Sequence, residues 1–290
     1  MMRRRRSRPG RQIEGSFVFR RARDLVTVIL LAWIAFPFLW GLISSLKTAD
    51  AIFSRVPTLL PNPVTLQHYY WAFTNARFMR GLLNSFVVAG ATALLAMTIC
   101  AAAAYSLARY RYRFKKSIMT FFVSTQMLPR VLVAIPLFVI FTRLRLVDTY
   151  LGLVLGYATF AAPFAILMLR GFFAGFPVEL EESAWIDGAS RLQAFFRIVL
   201  PLIVPGIIAT GLFAFVLAWN DLLFAMILAR SASVVPAAVV LNNLAHSQFA
   251  GTNYGGLLAG GVILTLPAVI FFLSLQHHLI AGMTAGATKG

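Results

Sequence analysis

The sequence predicts an all-α membrane protein with six transmembrane helices, and three of its properties lead to this prediction. Of the 290 residues, 60% are hydrophobic and only 12% are charged. Soluble domains are about 25% charged, so this composition excludes an ordinary soluble enzyme. The mean hydropathy of +0.81 excludes intrinsic disorder. The apolar runs lack the alternation of barrel strands, and a backbone in lipid must satisfy its own hydrogen bonds, so the runs are expected to be helices.

Six runs are long enough to cross a bilayer, which takes roughly 20 mostly apolar residues. They cover residues 25–46, 82–108, 117–141, 151–173, 202–228 and 257–280. The first run is too long for a cleaved signal peptide and no small-residue cleavage pattern follows it, so we expect it to remain as an anchor. Prolines lie within or beside the runs and predict kinks: Pro37, Pro129, Pro136, Pro163, Pro205 and Pro267.

These runs divide the chain into a basic N-terminal tail (1–24), a six-helix transmembrane domain (25–280) and a C-terminal tail (281–290). Eighteen Lys and Arg residues fall on the side of the membrane that holds both tails, and seven fall on the other side. An excess of Lys and Arg in short loops marks the cytoplasmic side, so both termini are expected there, in the inner (plasma) membrane. The Arg-rich tail is interpreted as a topology signal that contacts anionic lipid. It lacks the aromatic or folded module of a nucleic-acid-binding site.

The link at 177–201, named here the acidic loop, concentrates negative charge on the cytoplasmic side. Four of the nine acidic residues lie there: Glu179, Glu181, Glu182 and Asp187. Pro177 suits the first turn of a helix, whose positive end the glutamates then occupy. Gly188 predicts a turn, and Ser190 with Gln193 forms a capping box that opens a second short helix. Composition alone is equally compatible with an amphipathic linker on the membrane surface.

The acidic loop resembles the cytoplasmic signature of ABC importer permeases, which reads Glu-Ala-Ala, three residues, Gly, nine residues and Ile-x-Leu-Pro. Every spacing of that signature is kept, with Ser in place of the first Ala. The matching residues are Glu182, Ser183, Ala184, Gly188, Ile198, Leu200 and Pro201. Asp187 before the glycine and Ala189-Ser190 after it resemble the carbohydrate-uptake type, of which the maltose importer is best known.

Four other segments resemble the second permease subunit of that family: SSLKTADAIF (44–53), NSFVVAGATALLAMTICAAAAYSLARYRY (84–112), AWNDLLFAMIL (218–228) and GMTAGATKG (282–290). The resemblance implies an ATP-driven sugar importer in which this chain pairs with a second permease subunit. It also implies two ATP-binding subunits on the cytoplasmic side and an extracytoplasmic sugar-binding lipoprotein.

In that family the first helix of the acidic loop packs into a groove on the ATPase. The resemblance therefore assigns ATPase coupling to the matched residues and to Asp187, with a polar contact for Glu182 and the turn for Gly188. ATP and Mg²⁺ are expected in the partner subunits, because this chain has no G-x-x-x-x-G-K-[ST] loop and is expected to hold no cofactor and catalyse no reaction.

Two charges lie inside the predicted spans. A charge at the bilayer centre costs about 2.5–3.5 kcal/mol on insertion scales, so Arg130 and Asp221 are expected to face the bundle interior or a wet cavity. Arg130 is expected to bind backbone carbonyls freed by Pro129 or to contact a passing substrate, and Asn220-Asp221 to form an interhelical hydrogen bond. The candidate substrate-pathway residues are Arg130, Tyr157, Trp219, Asn220 and Asp221.

A proton- or sodium-coupled secondary transporter is the alternative function, with Arg130 and Asp221 as coupling sites. Against it, two isolated charges form no relay and explain neither the loop signature nor the tail. A membrane-bound enzyme or a metal site would need a cluster of His, Cys or carboxylates at membrane depth, and the sequence has none. His277 and His278 are adjacent and point in different directions on a helix, and no catalytic or metal-binding residue is predicted.

Overall fold

The computed structural model describes residues 17–246 and 253–287, and within these ranges every regular element is helical. Among these described residues, four continuous helices are candidates for membrane spans, and the number is six if each of two bent pairs of helices is one span. The predicted all-α fold is therefore confirmed. The predicted tail at 1–24 lies largely outside the described residues. The last helix continues to Ala287, through most of the predicted tail at 281–290, and residues 288–290 lie outside the description.

The first, second, fourth and sixth spans follow the predicted runs closely. The first is Phe17–Ser45, the fourth Tyr150–Gly175 and the sixth Tyr254–Ala287. The second span consists of Ala76–Leu95, a π-helical turn at Ala96–Cys100, and Ala101–Arg109. Short helices outside the spans are Ala49–Ile52, Gln67–Thr74 and Ala237–Ala245.

The third and fifth spans are broken, where the sequence predicted single kinked helices. The third consists of Lys115–Gln126 and Arg130–Arg143, which meet at an angle of 105°. Pro129 stands at this break, because its ring forbids a continuous helical hydrogen-bond ladder. The fifth span, predicted at 202–228, is helical over Val204–Trp219 and again over Leu223–Leu228. The prolines at 37, 136, 163 and 267 lie inside helices without ending them.

The second, fourth and fifth spans form the centre of the bundle. Their buried contacts divide into a cluster around Leu153 and Phe224 and another, nearer the acidic loop, around Leu169 and Val199. Small residues allow the close approach, because a Cβ on Gly206 would lie 2.6 Å from the ring of Phe172. The first span packs along the last helix and leaves its apolar side chains exposed.

At the end of the bundle opposite the acidic loop, side-chain amides and hydroxyls tie the second span to the segment before Ala237–Ala245. Asn84 donates to the carbonyl of Val235 at 2.9 Å, and the hydroxyl of Tyr150 donates to the Asn84 side-chain oxygen at 2.7 Å. The Ser85 hydroxyl accepts from the amide of Ala237 at 3.0 Å. We call this group the Asn84 clasp.

One carboxylate holds two loops together. The first loop joins the third span to the fourth, and the second follows Leu228 at the end of the fifth span. Asp148 accepts hydrogen bonds from the amides of Arg230 and Ser231, both at 2.9 Å. Burial raises the pKa of Asp148, but the hydrogen bonds from Ser231 and Arg230 outweigh it and lower the pKa below the usual value. The carboxylate is therefore charged at neutral pH and holds both amides.

Candidate functional site

The acidic loop has the predicted helix, glycine turn and second helix. Its first helix is Glu179–Ile186, and Gly188 follows with a left-handed φ of 88°. The amide of Gly188 donates to the carbonyl of Trp185, and the amide of Ala189 donates to the carbonyl of Ala184. This is the hydrogen-bond pattern of a Schellman C-cap. This turn satisfies carbonyls that the end of the helix would leave unpaired.

The second part of the loop begins with the predicted capping box. The Ser190 hydroxyl accepts from the amide of Gln193 at 3.3 Å, and the Gln193 side chain accepts from the amide of Ser190 at 2.8 Å. Beyond Arg191–Ala194 the expected regular helix is replaced by a π-helical turn at Phe195–Val199. A bend of 74° at Ile203 then leads into the fifth span.

Some of the residues that match the signature are buried against the bundle, and others are exposed. Ala184 is buried, and Ile198 and Leu200 are half-buried. The exposed members are Glu182, Ser183, Asp187, Gly188 and Pro201. Apolar side chains surround them, with Ile186 exposed by 86% and Leu192 by 70%. Within the described residues, the Glu182 carboxylate has no hydrogen-bond or ion-pair partner.

Sequence reasoning missed the role of the neighbouring glutamate. The side chain of Glu181 is 1% exposed and forms an ion pair with Arg109, the last residue of the second span. It also accepts a hydrogen bond from the Tyr105 hydroxyl at 2.6 Å. A signal was present in the spacing, because Glu181 and Ala184 are three residues apart and share the buried face of the helix.

The breaks in the third and fifth spans meet at a cavity of about 440 Å³. Arg130 Nη1 lies 3.6 Å from Asp221 Oδ2, and the guanidinium lies 5.5 Å from the centre of the Phe160 ring. Asp221 Oδ1 accepts from the amide of Phe224 at 2.8 Å and so caps the helix that resumes after the break. The cavity is lined by Arg130, Phe213, Val216, Leu217, Asn220, Asp221, Leu222 and Leu223.

This arrangement corrects two expectations for the charged residues. Arg130 was expected to bind carbonyls freed by Pro129, yet its ion-pair partner is Asp221, and the carbonyl of Thr125, four residues before Pro129, accepts from the Leu128 amide at 3.4 Å. The two charges are therefore not isolated. Asp221 was expected to form an interhelical hydrogen bond, but its hydrogen bond stays within its own span and the ion pair makes the link between spans.

The two aromatic candidates lie outside the lining of this cavity. Trp219 is 4% exposed, and its indole N–H donates to the carbonyl of Leu264 at 2.9 Å. Tyr157 is 2% exposed, and its hydroxyl has no partner within the described part of the chain. Both side chains belong to the packed core that contains Phe224, so the structure brings together only Arg130, Asn220 and Asp221.

Among the described residues, no group of three His, Cys, Asp or Glu side chains is placed to hold a metal ion. His68 is buried, and its ring lies 2.9 Å from the carbonyl of Lys47. His246 lies 2.8 Å from the carbonyl of Asn242. The side chains of His277 and His278 lie outside the described residues.

Comparison with known proteins matches residues 96–285 to the family described as binding-protein-dependent transport system inner membrane component. The trehalose transport system permease protein SugB of Mycobacterium tuberculosis is 34% identical, over 92% of this chain and 96% of SugB. The diacetylchitobiose uptake system permease protein DasC of Streptomyces coelicolor is 32% identical, over 92% of this chain and 96% of DasC. The trehalose/maltose transport system permease protein MalG of Thermococcus litoralis is 31% identical, over 94% of this chain and 98% of MalG.

Among solved structures, a bacterial ABC transporter that imports the acidic polysaccharide alginate has a chain of the same fold. The TM-score is 0.75 at 23% identity, over 93% of this chain and 99% of that chain.

The turn at Gly188 gives a testable prediction about the stability of the acidic loop. Gly188→Ala should destabilise the turn by about 1–2 kcal/mol, because a residue with a Cβ is disfavoured at a left-handed φ. Open space surrounds the position, so backbone strain is the only expected cause. Hydrogen exchange of the amides at 188 and 189 measures the effect, and Gly188→Asn should show less of it. Gly175→Ala is the control, since Gly175 also has open space but no left-handed φ.

Proposed function

Since this chain belongs to the family of binding-protein-dependent transport system inner membrane components, we propose that it is a permease subunit of an ATP-driven carbohydrate importer. It is a multi-pass protein of the inner membrane and not an enzyme. Relatives that align with more than nine-tenths of the chain are named as permeases for trehalose, diacetylchitobiose, and trehalose with maltose. The family match favours this function over a secondary transporter.

The exposed face of the acidic loop is the observation that carries the mechanism. Its first helix is fixed at one end by the Schellman turn and at its buried face by Glu181, and we expect a helix held in this way to transmit force. Its outer face presents the exposed side chains of Glu182 and Ile186, and in the part of the chain that the structure describes no side chain pairs with the Glu182 carboxylate. Such a face suits a groove on an ATP-binding subunit, which would bury the apolar surface and supply a partner for the carboxylate.

The complete importer would contain this chain, a second permease subunit, two ATP-binding subunits and an extracytoplasmic sugar-binding lipoprotein. The two ATP-binding subunits would hold ATP and Mg²⁺. Closure of these subunits would move the acidic loop and, with it, the fourth and fifth spans as rigid bodies. The family description supports the dependence on a binding protein.

Docking of the acidic loop is tested with Glu182→Ala. Loss of one partner from a buried charged contact costs about 2–5 kcal/mol, which is a thirty-fold or greater loss of affinity for the ATP-binding subunits. The measurement is the amount of these subunits that co-purifies with the permease over a range of concentrations. Glu179→Ala is the control, because Glu179 is exposed on the same helix but lies outside the signature. Equal retention by both variants would refute docking through Glu182.

The cavity between the broken spans is proposed as part of the sugar pathway. Arg130 is half-exposed, and Asn220 is exposed beside it, so the cavity offers hydrogen-bond donors and an amide oxygen to a solute rich in hydroxyls. Tyr157 and Trp219 would support the wall from behind and not touch the sugar. The ion pair explains how two charges are tolerated at this depth.

Water access tests the pathway proposal without knowledge of the sugar. In a Cys100→Ala background, Asn220→Cys should react with a small hydrophilic thiol reagent, because position 220 lines the cavity. Ala218→Cys is the matched control, since Ala218 is 6% exposed and lies two residues away on the same span. Reaction rates that are equal at the two positions would remove the cavity from the pathway.

Orientation in the membrane is proposed with both termini cytoplasmic. Leu60 is exposed by 73% and Ile186 by 86%, so a cysteine at either position should react unless the membrane shields it. In intact cells that produce the permease without the ATP-binding subunits, which would otherwise cover Ile186, an impermeant maleimide should label Leu60→Cys and not Ile186→Cys, and both should be labelled after lysis. The reverse pattern in intact cells would invert the topology.

A further inference from the structure

A buried ion pair joins the acidic loop to the second span. Arg109 ends the helix Ala101–Arg109, and its side chain is 13% exposed. Its Nε donates to Glu181 Oε1, although the two residues are 72 positions apart in the sequence. The chain itself connects the loop only to the fourth and fifth spans. The second span therefore meets the loop through noncovalent contacts alone.

Both ends of this ion pair have additional hydrogen bonds. The second carboxylate oxygen of Glu181 accepts from the hydroxyl of Tyr105 at 2.6 Å, so each oxygen has a partner from the second span. Arg109 Nη2 donates to the carbonyl of Phe176 at 2.9 Å, just beyond the last helical residue of the fourth span. The guanidinium therefore connects the second span, the end of the fourth span and the first helix of the loop.

Aromatic contacts extend the connection to the second part of the loop. The Tyr105 ring lies 5.4 Å from that of Phe173 in the fourth span and 4.6 Å from that of Phe195 in the π-helical turn. Phe195 and Phe173 are buried. Both arms of the acidic loop thus pack against the last two turns of the second span.

We propose that Glu181 and Arg109 are positioning residues that make the acidic loop and the adjoining end of the second span move as one body. If the loop moved alone, it would leave a carboxylate and a guanidinium buried without partners, which is strongly unfavourable. A displacement of the loop would therefore reach the second span directly and, at its far end, the Asn84 clasp. The inference rests on the proposed docking of the loop on an ATP-binding subunit.

The two adjacent glutamates would then have opposite tasks. Glu182 faces outward, where a partner subunit can reach it, and Glu181 faces inward, where it contacts Arg109 and Tyr105. Loss of Glu182 should release the ATP-binding subunits. Loss of Glu181 should leave them bound and uncouple their movement from the second span.

Spin-label distances in the complete complex test this division. One label is placed at Glu179 on the loop and the other at Ala102 on the second span, both exposed positions. In the wild-type background the distance between the labels should be the same in the nucleotide-free and the ADP-vanadate-trapped complex. With Glu181→Gln, the ATP-binding subunits should co-purify as before, but trapping should shift or broaden the distance distribution.

Two further variants test whether the effect of Glu181→Gln comes from a general loss of structure. The double variant Arg109→Glu with Glu181→Arg exchanges the two charges and should again keep the distance between the labels nearly the same in both states. A small shift is expected, because the Phe176 carbonyl no longer has its donor. Arg111→Gln changes an exposed arginine two residues from Arg109 and should behave as the wild type.

The outcomes separate this inference from the proposed function. A distance that changes in the wild-type background, or a Glu181→Gln complex that keeps it constant, would overturn the positioning role alone. Absence of ATP-binding subunits from the purified wild-type complex would instead overturn the docking of the loop, and the positioning role would fall with it.

Discussion

A polar group buried in lipid or in packed protein has no water to bind, and this constraint explains the polar contacts of three buried side chains in the bundle. Asn84, Glu181 and Asp221 are all nearly inaccessible, and each binds a group from another element or caps its own helix. An unpaired polar group would cost several kcal/mol in hydrocarbon. The breaks in the third and fifth spans lie beside the same cavity, and the charged side chains at the breaks, Arg130 and Asp221, form an ion pair with each other.

The local structure of the acidic loop could be predicted from the sequence because its signals are local. A capping box and a Schellman turn each involve residues that are at most five positions apart. The positions of the six apolar runs could also be predicted, because the length of a span depends on the thickness of the bilayer. Pro129 also indicated the place where the third span departs from a straight helix.

The interactions between spans could not be predicted in the same way. Arg130 and Asp221 belong to different spans, and Glu181 and Arg109 are 72 positions apart. Nothing in a single sequence identifies which of many arginines is the partner of a given carboxylate. Trp219 and Tyr157 were candidates for sugar contacts because of their chemistry, but packing places both in the core. The two π-helical turns were likewise not predicted, because the local sequence at Ala96–Cys100 and Phe195–Val199 has no distinct pattern.

The π-helical turn at Ala96–Cys100 has a consequence for how the second span can vary among related chains. Such a turn holds one residue more than an α-helical turn, so the helix beyond it keeps the phase of an α-helix that is one residue shorter. Asn84 lies before this turn and Arg109 lies after it. A chain with one residue fewer in the turn would form a regular α-helix there and still direct both side chains towards their partners. Where homologues that keep both residues differ in length between them, the gap should therefore fall at 96–100 and be one residue long.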